Sequence, residues 1–156
     1  MPYRAQIEVQ FGDIDQAQIV YYPRFIHYFH VAMEQFFRDV VGIDYARVMN
    51  EHRLGHPTVH LEVDFERPLR YGDIVEIDIV IERVGGTSVA WLYTVHRRGH
   101  PEVHATGRVV TVNIDLDSFA KREIPDWLRS VLQGYRDRWA EAAVQQEPLL
   151  TKGDGA

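Results

Sequence analysis

The sequence predicts an α+β fold: a curved antiparallel sheet of about five strands, a long central helix lying on it, and a C-terminal amphipathic helix. Three observations predict it. Residues 3–11 and several segments between 59 and 114 alternate apolar and polar side chains, the period of a half-buried strand. The stretch from Tyr22 to Val41 repeats apolar residues in steps of three and four, the period of a helix with one apolar face. The later strands are joined by tight turns, which suit antiparallel neighbours.

In chain order, Tyr3, Ala5, Ile7, Val9 and Phe11 share one face of the first strand, with Arg4, Gln6, Glu8 and Gln10 on the other. Gly12, Asp13, Asp15 and two glutamines break the pattern and predict a loop over 12–20. The helix from Tyr22 to Val41 presents Phe25, Ile26, Phe29, Met33, Phe36, Phe37 and Val40. Pro23 suits its first turn, where a missing N–H costs nothing, and Gly42 suits its end. So broad an aromatic face needs a large apolar surface, which a curved sheet supplies. Asp44 to Met49 predicts a short helix ended by Gly55 and Pro57. Strands follow at Val59–Phe65, Val75–Ile81 and Val89–Val95, punctuated by Tyr71-Gly72-Asp73, Gly85-Gly86 and Arg98-Gly99-His100-Pro101. The strand from Val103 to Ile114 changes phase, which implies either a bulge near Val109 or burial of both faces. Pro125 to Val144 predicts the last helix, through Trp127, Leu128, Val131, Leu132, Tyr135 and Trp139. The expected organisation is one domain over 1–120, the helix at 121–144 and a fraying tail at 145–156.

Composition narrows the function. The chain has 156 residues, no cysteine, and 23 acidic against 17 basic residues. Disulfides, thiolate metal sites and cysteine nucleophiles are excluded, and a net charge of −6 argues against a nucleic-acid surface. No signal-peptide pattern and no run of roughly 20 apolar residues is present, so a soluble, cytoplasmic protein away from membranes is expected. His52, His56 and His60 recur every four residues, as do His96, His100 and His104. That spacing makes one face only on a helix; Pro57 interrupts the first set and a turn the second, so no metal site is expected. Nucleophile-elbow, Walker and dinucleotide-binding motifs are absent.

The segment Phe11-Gly12-Asp13-Ile14-Asp15-Gln16-Ala17-Gln18-Ile19-Val20-Tyr21-Tyr22-Pro23-Arg24-Phe25 resembles the signature loop of the 4-hydroxybenzoyl-CoA thioesterase family, and Phe65-Glu66-Arg67-Pro68-Leu69-Arg70-Tyr71-Gly72-Asp73 resembles a second family segment. The resemblance covers about residues 3–120. It implies a hotdog fold, a homodimer often paired again into a tetramer, active sites at the dimer interface, and acyl-CoA thioesters as substrates. Coenzyme A would belong to the substrate, with no separate cofactor. The family's catalytic carboxylate falls on Asp15. The family has glycine where this sequence has Gln18, a departure at a position suited to positive φ.

Local chemistry points the same way. Thioester hydrolysis needs a base or nucleophile on one side of the carbonyl and hydrogen-bond donors on the other. Asp15 lies shortly before a helix N-terminus, where amides are free and the helix dipole is positive. Pro23 has no N–H, which leaves Tyr22 and its predecessors as donors. Asp15 either attacks directly or activates water. Asp13 reads as structural, and Glu34 is the alternative base. Gln18, Ile19, Phe25 and His60 are the candidate acyl-pocket residues. Arg83, Thr87 and Ser88 in one turn, with Lys121 and Arg122, are the candidates for coenzyme A phosphates. Two other readings stay open: a carrier-protein thioesterase docked through Arg67, Arg70, Arg97 and Arg98, and a non-catalytic thioester binder.

Overall fold

The computed structural model describes the backbone of residues 1–150 and the side chains of residues 1–146. Its elements are β1 (Tyr3–Glu8), a short turn of 3-10 helix (Phe11–Asp13), α1 (Pro23–Phe36), α2 (Tyr45–Asn50), β2 (Leu54–Gly55), β3 (Thr58–Phe65), β4 (Ile74–Val84), β5 (Ser88–Arg97), β6 (Val103–Val112), β7 (Ile114–Asp115), α3 (Asp126–Arg138) and α4 (Ala140–Leu150). The five long strands form one antiparallel sheet in the order β1-β4-β5-β6-β3. The expected α+β architecture is therefore present, with α1 against one face of the sheet.

That face carries the main core. Phe29 stacks on Tyr93 with ring centroids 4.8 Å apart, and Phe36 meets the edges of Tyr3, Trp91 and Tyr135. The helix sits close enough that a side-chain carbon on Gly107 of β6 would fall 2.6 Å from the Phe29 ring. Glycine is needed there to admit the ring. Past Phe36 the helix widens into one π-helical turn, Phe37–Val41, and stops at Gly42 in the left-handed region, φ 85°. The expected helix boundaries thus hold.

The phase change in β6 resolves as burial of both faces. Ala105, Val109 and Thr111 face the core, while Thr106 and Val112 are buried on the opposite side. The register breaks near His104 instead, where Val95 pairs Ala105 but His96 pairs Val103. The strand ends at Val112, and β7 pairs separately with β2, a small second sheet that the sequence reading missed.

The expected single C-terminal helix is two. The break falls at Trp139, φ −117° and ψ 22°. Before it, Leu128, Leu132 and Tyr135 of α3 join the main core, and the Tyr135 hydroxyl donates to the Ile79 carbonyl. After it, Ala143 of α4 packs on Val80 and Leu92, which point out of the opposite sheet face. Trp139 touches both clusters, so the break carries the chain around the sheet from one face to the other. Of the tail expected at 145–156, residues 145–150 are helical and 151–156 lie outside the described residues.

One edge of the sheet is β3, which among the described residues pairs only with β6. Val59, Leu61 and Phe65 are exposed along it, at 61%, 37% and 48%. An unpaired edge with exposed apolar side chains is a template for another strand.

Candidate active site

The loop before α1 is folded by its own acids. The Asp13 backbone carbonyl accepts from the Tyr21 N–H, and its buried carboxylate accepts from the Gln10 N–H at 2.9 Å and the Tyr28 hydroxyl at 2.8 Å. Arg24 Nε lies 3.6 Å from the other carboxylate oxygen. Asp13 therefore ties the loop to the second turn of α1, the structural role read from the sequence.

Beyond it, Ile14 and Val20 bridge, and Asp15 and Ile19 share a backbone hydrogen bond. This tight reversal holds Asp15 against the segment that enters the helix. Asp15 Oδ1 accepts from the Ala17 N–H at 2.8 Å, and Oδ2 has no partner among the described residues. Val20 donates to the Leu69 carbonyl at 2.8 Å, which docks the loop on the second sequence motif. At the entrance to α1, Arg24 and Phe25 donate to the carbonyls of Tyr21 and Tyr22. Pro23 has no N–H. The Tyr22 N–H is the free donor left at the helix start, with no acceptor among the described residues.

Gln18 occupies the left-handed region, φ 64°. It adopts the conformation for which glycine is suited, at a steric cost of about 1 kcal/mol. Relief of that strain in Gln18→Gly is opposed by the greater freedom of glycine in the unfolded chain, so a net change of about 0.5 kcal/mol or less, with a urea midpoint equal to or slightly above wild type, is expected. A lower midpoint would show that the side chain itself holds the loop.

The candidate pocket residues divide. Ile19, Tyr22 and Phe25 line a cleft of about 340 Å3 with Phe65. The Phe25 and Phe65 rings meet edge to face at 5.2 Å. Gln18 is exposed on the loop's reversal and does not line this cleft. His60 is a second correction. Its neighbour Leu61 faces α1, so strand parity turns His60 to the opposite face, where it bonds Glu62 at 2.6 Å. Glu34 is paired with His30 at 2.8 Å on the helix surface.

Arg83, Thr87, Ser88, Lys121 and Arg122 are brought together, but not beside Asp15. Asn113 donates to the Thr87 carbonyl, Arg122 to Asn113 and Ile124 to Gly86, which gathers them at the β4–β5 turn. Arg129, which the sequence reading missed, clasps that turn by donating to the Gly85 and Gly86 carbonyls at 3.0 and 2.8 Å. The Asp15 loop docks on Leu69 through Val20, and Val9 just before the loop donates to Asp73, both ahead of β4. The length of β4 separates the two groups by about 30 Å within one chain.

A separate cavity of about 360 Å3 lies between α1 and β3. Phe29, Met33, Leu61 and Tyr93 are among its apolar lining, with His27, His30, His56, Thr58 and Thr111 as polar groups. The sequence reading noticed His56 only in a repeating histidine spacing. No metal-binding cluster is present among the described residues.

Burial pushes the His56 imidazole down to about 4 from the ordinary 6.5. The unfolded chain then binds the extra proton first, so this contribution is fully present above pH 6.5 and lost as pH falls toward 4. It amounts to roughly 3 kcal/mol. His96, hydrogen-bonded to Asp78, is shifted upward and works in the opposite sense, losing stability as pH rises through its folded value. His56→Gln should flatten the fall in unfolding free energy between about pH 7 and 4.5. An unchanged fall would place the acid sensitivity elsewhere.

The sequence profile of the thioesterase-like superfamily matches residues 9–132, with the Asp15 loop, α1 and every strand of the sheet except β1 inside the match. The chain belongs to this superfamily. It is 30% identical over 138 residues to a 1,4-dihydroxy-2-naphthoyl-CoA hydrolase from Nostoc punctiforme, spanning 88% of this chain and 90% of that one. The structure of BH1999 gentisyl-coenzyme A thioesterase superposes with a TM-score of 0.73 at 26% identity, covering 81% of this chain and 99% of the other. A 1,4-dihydroxy-2-naphthoyl-CoA thioesterase from Synechocystis shares the fold with a TM-score of 0.76 at 20% identity, covering 83% and 94%. The fold is thus the expected hotdog fold. These thioesterase-like relatives are not 4-hydroxybenzoyl-CoA thioesterases, so the family resemblance holds at superfamily level.

Among the described residues, no helix is long and apolar enough to cross a membrane.

Proposed function

We propose that the protein hydrolyses acyl-CoA thioesters, with Asp15 as base or nucleophile and the Tyr22 N–H as the donor to the carbonyl oxygen. One observation carries this reading: an Asp15 carboxylate oxygen and the Tyr22 amide, both without a partner among the described residues, are carried by one loop whose tight reversal leads into the start of α1. The carbonyl oxygen docks on the Tyr22 amide and gains negative charge as the carbon is attacked. Water attacks while its proton passes to Asp15, or Asp15 attacks and water opens the resulting mixed anhydride. In either course the carbon–sulfur bond breaks and the sulfur takes a proton, giving free acid and coenzyme A.

The working unit in this proposal is a homodimer paired through β3. Two copies of an open edge strand pair antiparallel about a two-fold axis. Such pairing sets the Phe65 end of one strand beside the Thr58 end of the other. The Asp15 loop of each copy then approaches the other's β4–β5 turn, which supplies Arg83, Thr87, Ser88, Lys121 and Arg122 for the coenzyme phosphates. The separation of about 30 Å within one chain is thereby removed.

Thiol release across short, long, branched and aromatic acyl-CoAs tests the reading. Turnover of at least one class, by a species of twice the 18.2 kDa chain mass, is expected. No thiol release from any of them would refute it.

A further inference from the structure

We propose that two copies of the chain join through β3 in one register, with Glu62 on the two-fold axis. The inference rests on the homodimer of the reading above and specifies how its halves align.

The sheet has two edges, β1 and β3, and they differ. On β1 the outward backbone groups are already taken. The Gln35 side chain accepts from the Gln6 N–H at 3.3 Å and donates to the Gln6 carbonyl at 3.1 Å, and Gln10 Nε2 donates to the Glu8 carbonyl at 3.4 Å. No side chain among the described residues caps β3 in this way. An open edge is satisfied by another strand, and a second β3 offers the same apolar row of Leu61, Val63 and Phe65.

Geometry restricts the register. Antiparallel pairing of two identical edges sets the two-fold axis perpendicular to the sheet, so a given residue points to the same face in both copies. Residues directly opposite also share a face. Each residue therefore meets one of its own parity, and the axis passes through a residue that meets itself. The β3–β6 register slips between Thr58 and His60, which leaves Val59 as an extra residue and the strand regular from His60 to Phe65.

Three registers lie near the middle of that run. Centred on Leu61, only residues 60–62 pair before the bulge intervenes. Centred on Val63, residues 61–65 pair, but Glu62 meets the other copy's Asp64 twice, and like charges directly opposite are destabilising. Centred on Glu62, residues 60–64 pair, His60 meets the other copy's Asp64 twice, and Leu61 meets Val63. The one like pair is Glu62 with itself, and each Glu62 carboxylate is already bonded to its own His60 at 2.6 Å. This register joins the longer ladder to the better charge match. It also sets the exposed Phe65 beside the exposed, bulged Val59 of the other copy.

Register matters to the site, because moving to a neighbouring one slides one copy along the other by two residues, about 7 Å. A single register fixes where the β4–β5 turn of one copy falls relative to the Asp15 loop of the other.

The chain has no cysteine, so introduced cysteines report the register without background. Under mild oxidation Glu62→Cys should form a disulfide-linked dimer, since directly opposite Cα atoms lie about 4.5–5.5 Å apart. Leu61→Cys and Val63→Cys should each link at least about 10-fold more slowly, because their like residues sit on diagonals of about 7–8 Å. The double variant Leu61→Cys/Val63→Cys should link readily. Fastest linking by Leu61→Cys alone or Val63→Cys alone overturns the register. Sedimentation as a single 18.2 kDa chain, with no linking in any variant, overturns the β3 dimer itself. The disulfide needs no turnover, so a fast Glu62→Cys link in a protein that releases no thiol upholds the register and refutes the thioesterase reading alone.

Discussion

Asp15→Asn should lower kcat for thiol release by about 10² to 10⁴-fold, the range spanned by loss of a positioned general base. The substitution suits the question because it spares the loop. Asp15 Oδ1 accepts from the Ala17 N–H, and an asparagine carbonyl can accept the same hydrogen bond. What disappears is the charge on Oδ2, which holds no other group in place. The expected result is therefore a large fall in kcat with little change in KM or urea midpoint. Rates within about two-fold of wild type would move the chemistry to another carboxylate, with Glu34 the first candidate. That alternative is weakened by geometry, since Glu34 is engaged by His30 and lies three turns along the helix from the free Tyr22 amide.

Phe36→Ala should be the most damaging core substitution, destabilising by about 3–5 kcal/mol. Phe36 is fully buried where α1, β1, β5 and α3 converge, with ring contacts to Tyr3, Trp91 and Tyr135 at 5.8, 5.5 and 4.9 Å. Truncation leaves a cavity that three other rings cannot easily collapse into. Against a typical total stability of about 5–15 kcal/mol, the loss is large enough to unfold much of the population on modest heating. Phe11→Ala is the control: its ring is 75% exposed and meets Tyr71 edge to face, so about 0.5 kcal/mol or less is expected. Denaturant unfolding distinguishes the two. Similar midpoints for both variants would mean that the Phe36 site repacks.

The strands and the central helix were legible because their apolar periods are strong. The two sequence motifs were also legible as a unit, and Val20 and Leu69 do join them by a backbone hydrogen bond. Other features were hidden for identifiable reasons. Gln18 signalled a departure, but only the backbone shows that it still adopts a left-handed turn. Trp139 reads as one more apolar position in a helical period, whereas in space it is where the helix breaks to serve two cores. His60 was assigned to the pocket without fixing its strand face, and parity with Leu61 decides against it. His56 lies in 43–57, a stretch without a clear period, so nothing local could say that it faces a cavity. The coenzyme candidates gather as a group, but their distance from Asp15 depends on the direction of β4, which composition does not carry.

The central claim is that Asp15 and the Tyr22 amide approach one thioester carbonyl from opposite sides. A crystal structure with a non-hydrolysable acyl-CoA analogue measures this directly. The carbonyl oxygen should lie about 2.7–3.2 Å from the Tyr22 nitrogen, with Asp15 Oδ2 facing the carbonyl carbon directly or through one water. A carbonyl bound away from the start of α1, with Asp15 turned to solvent, would contradict it.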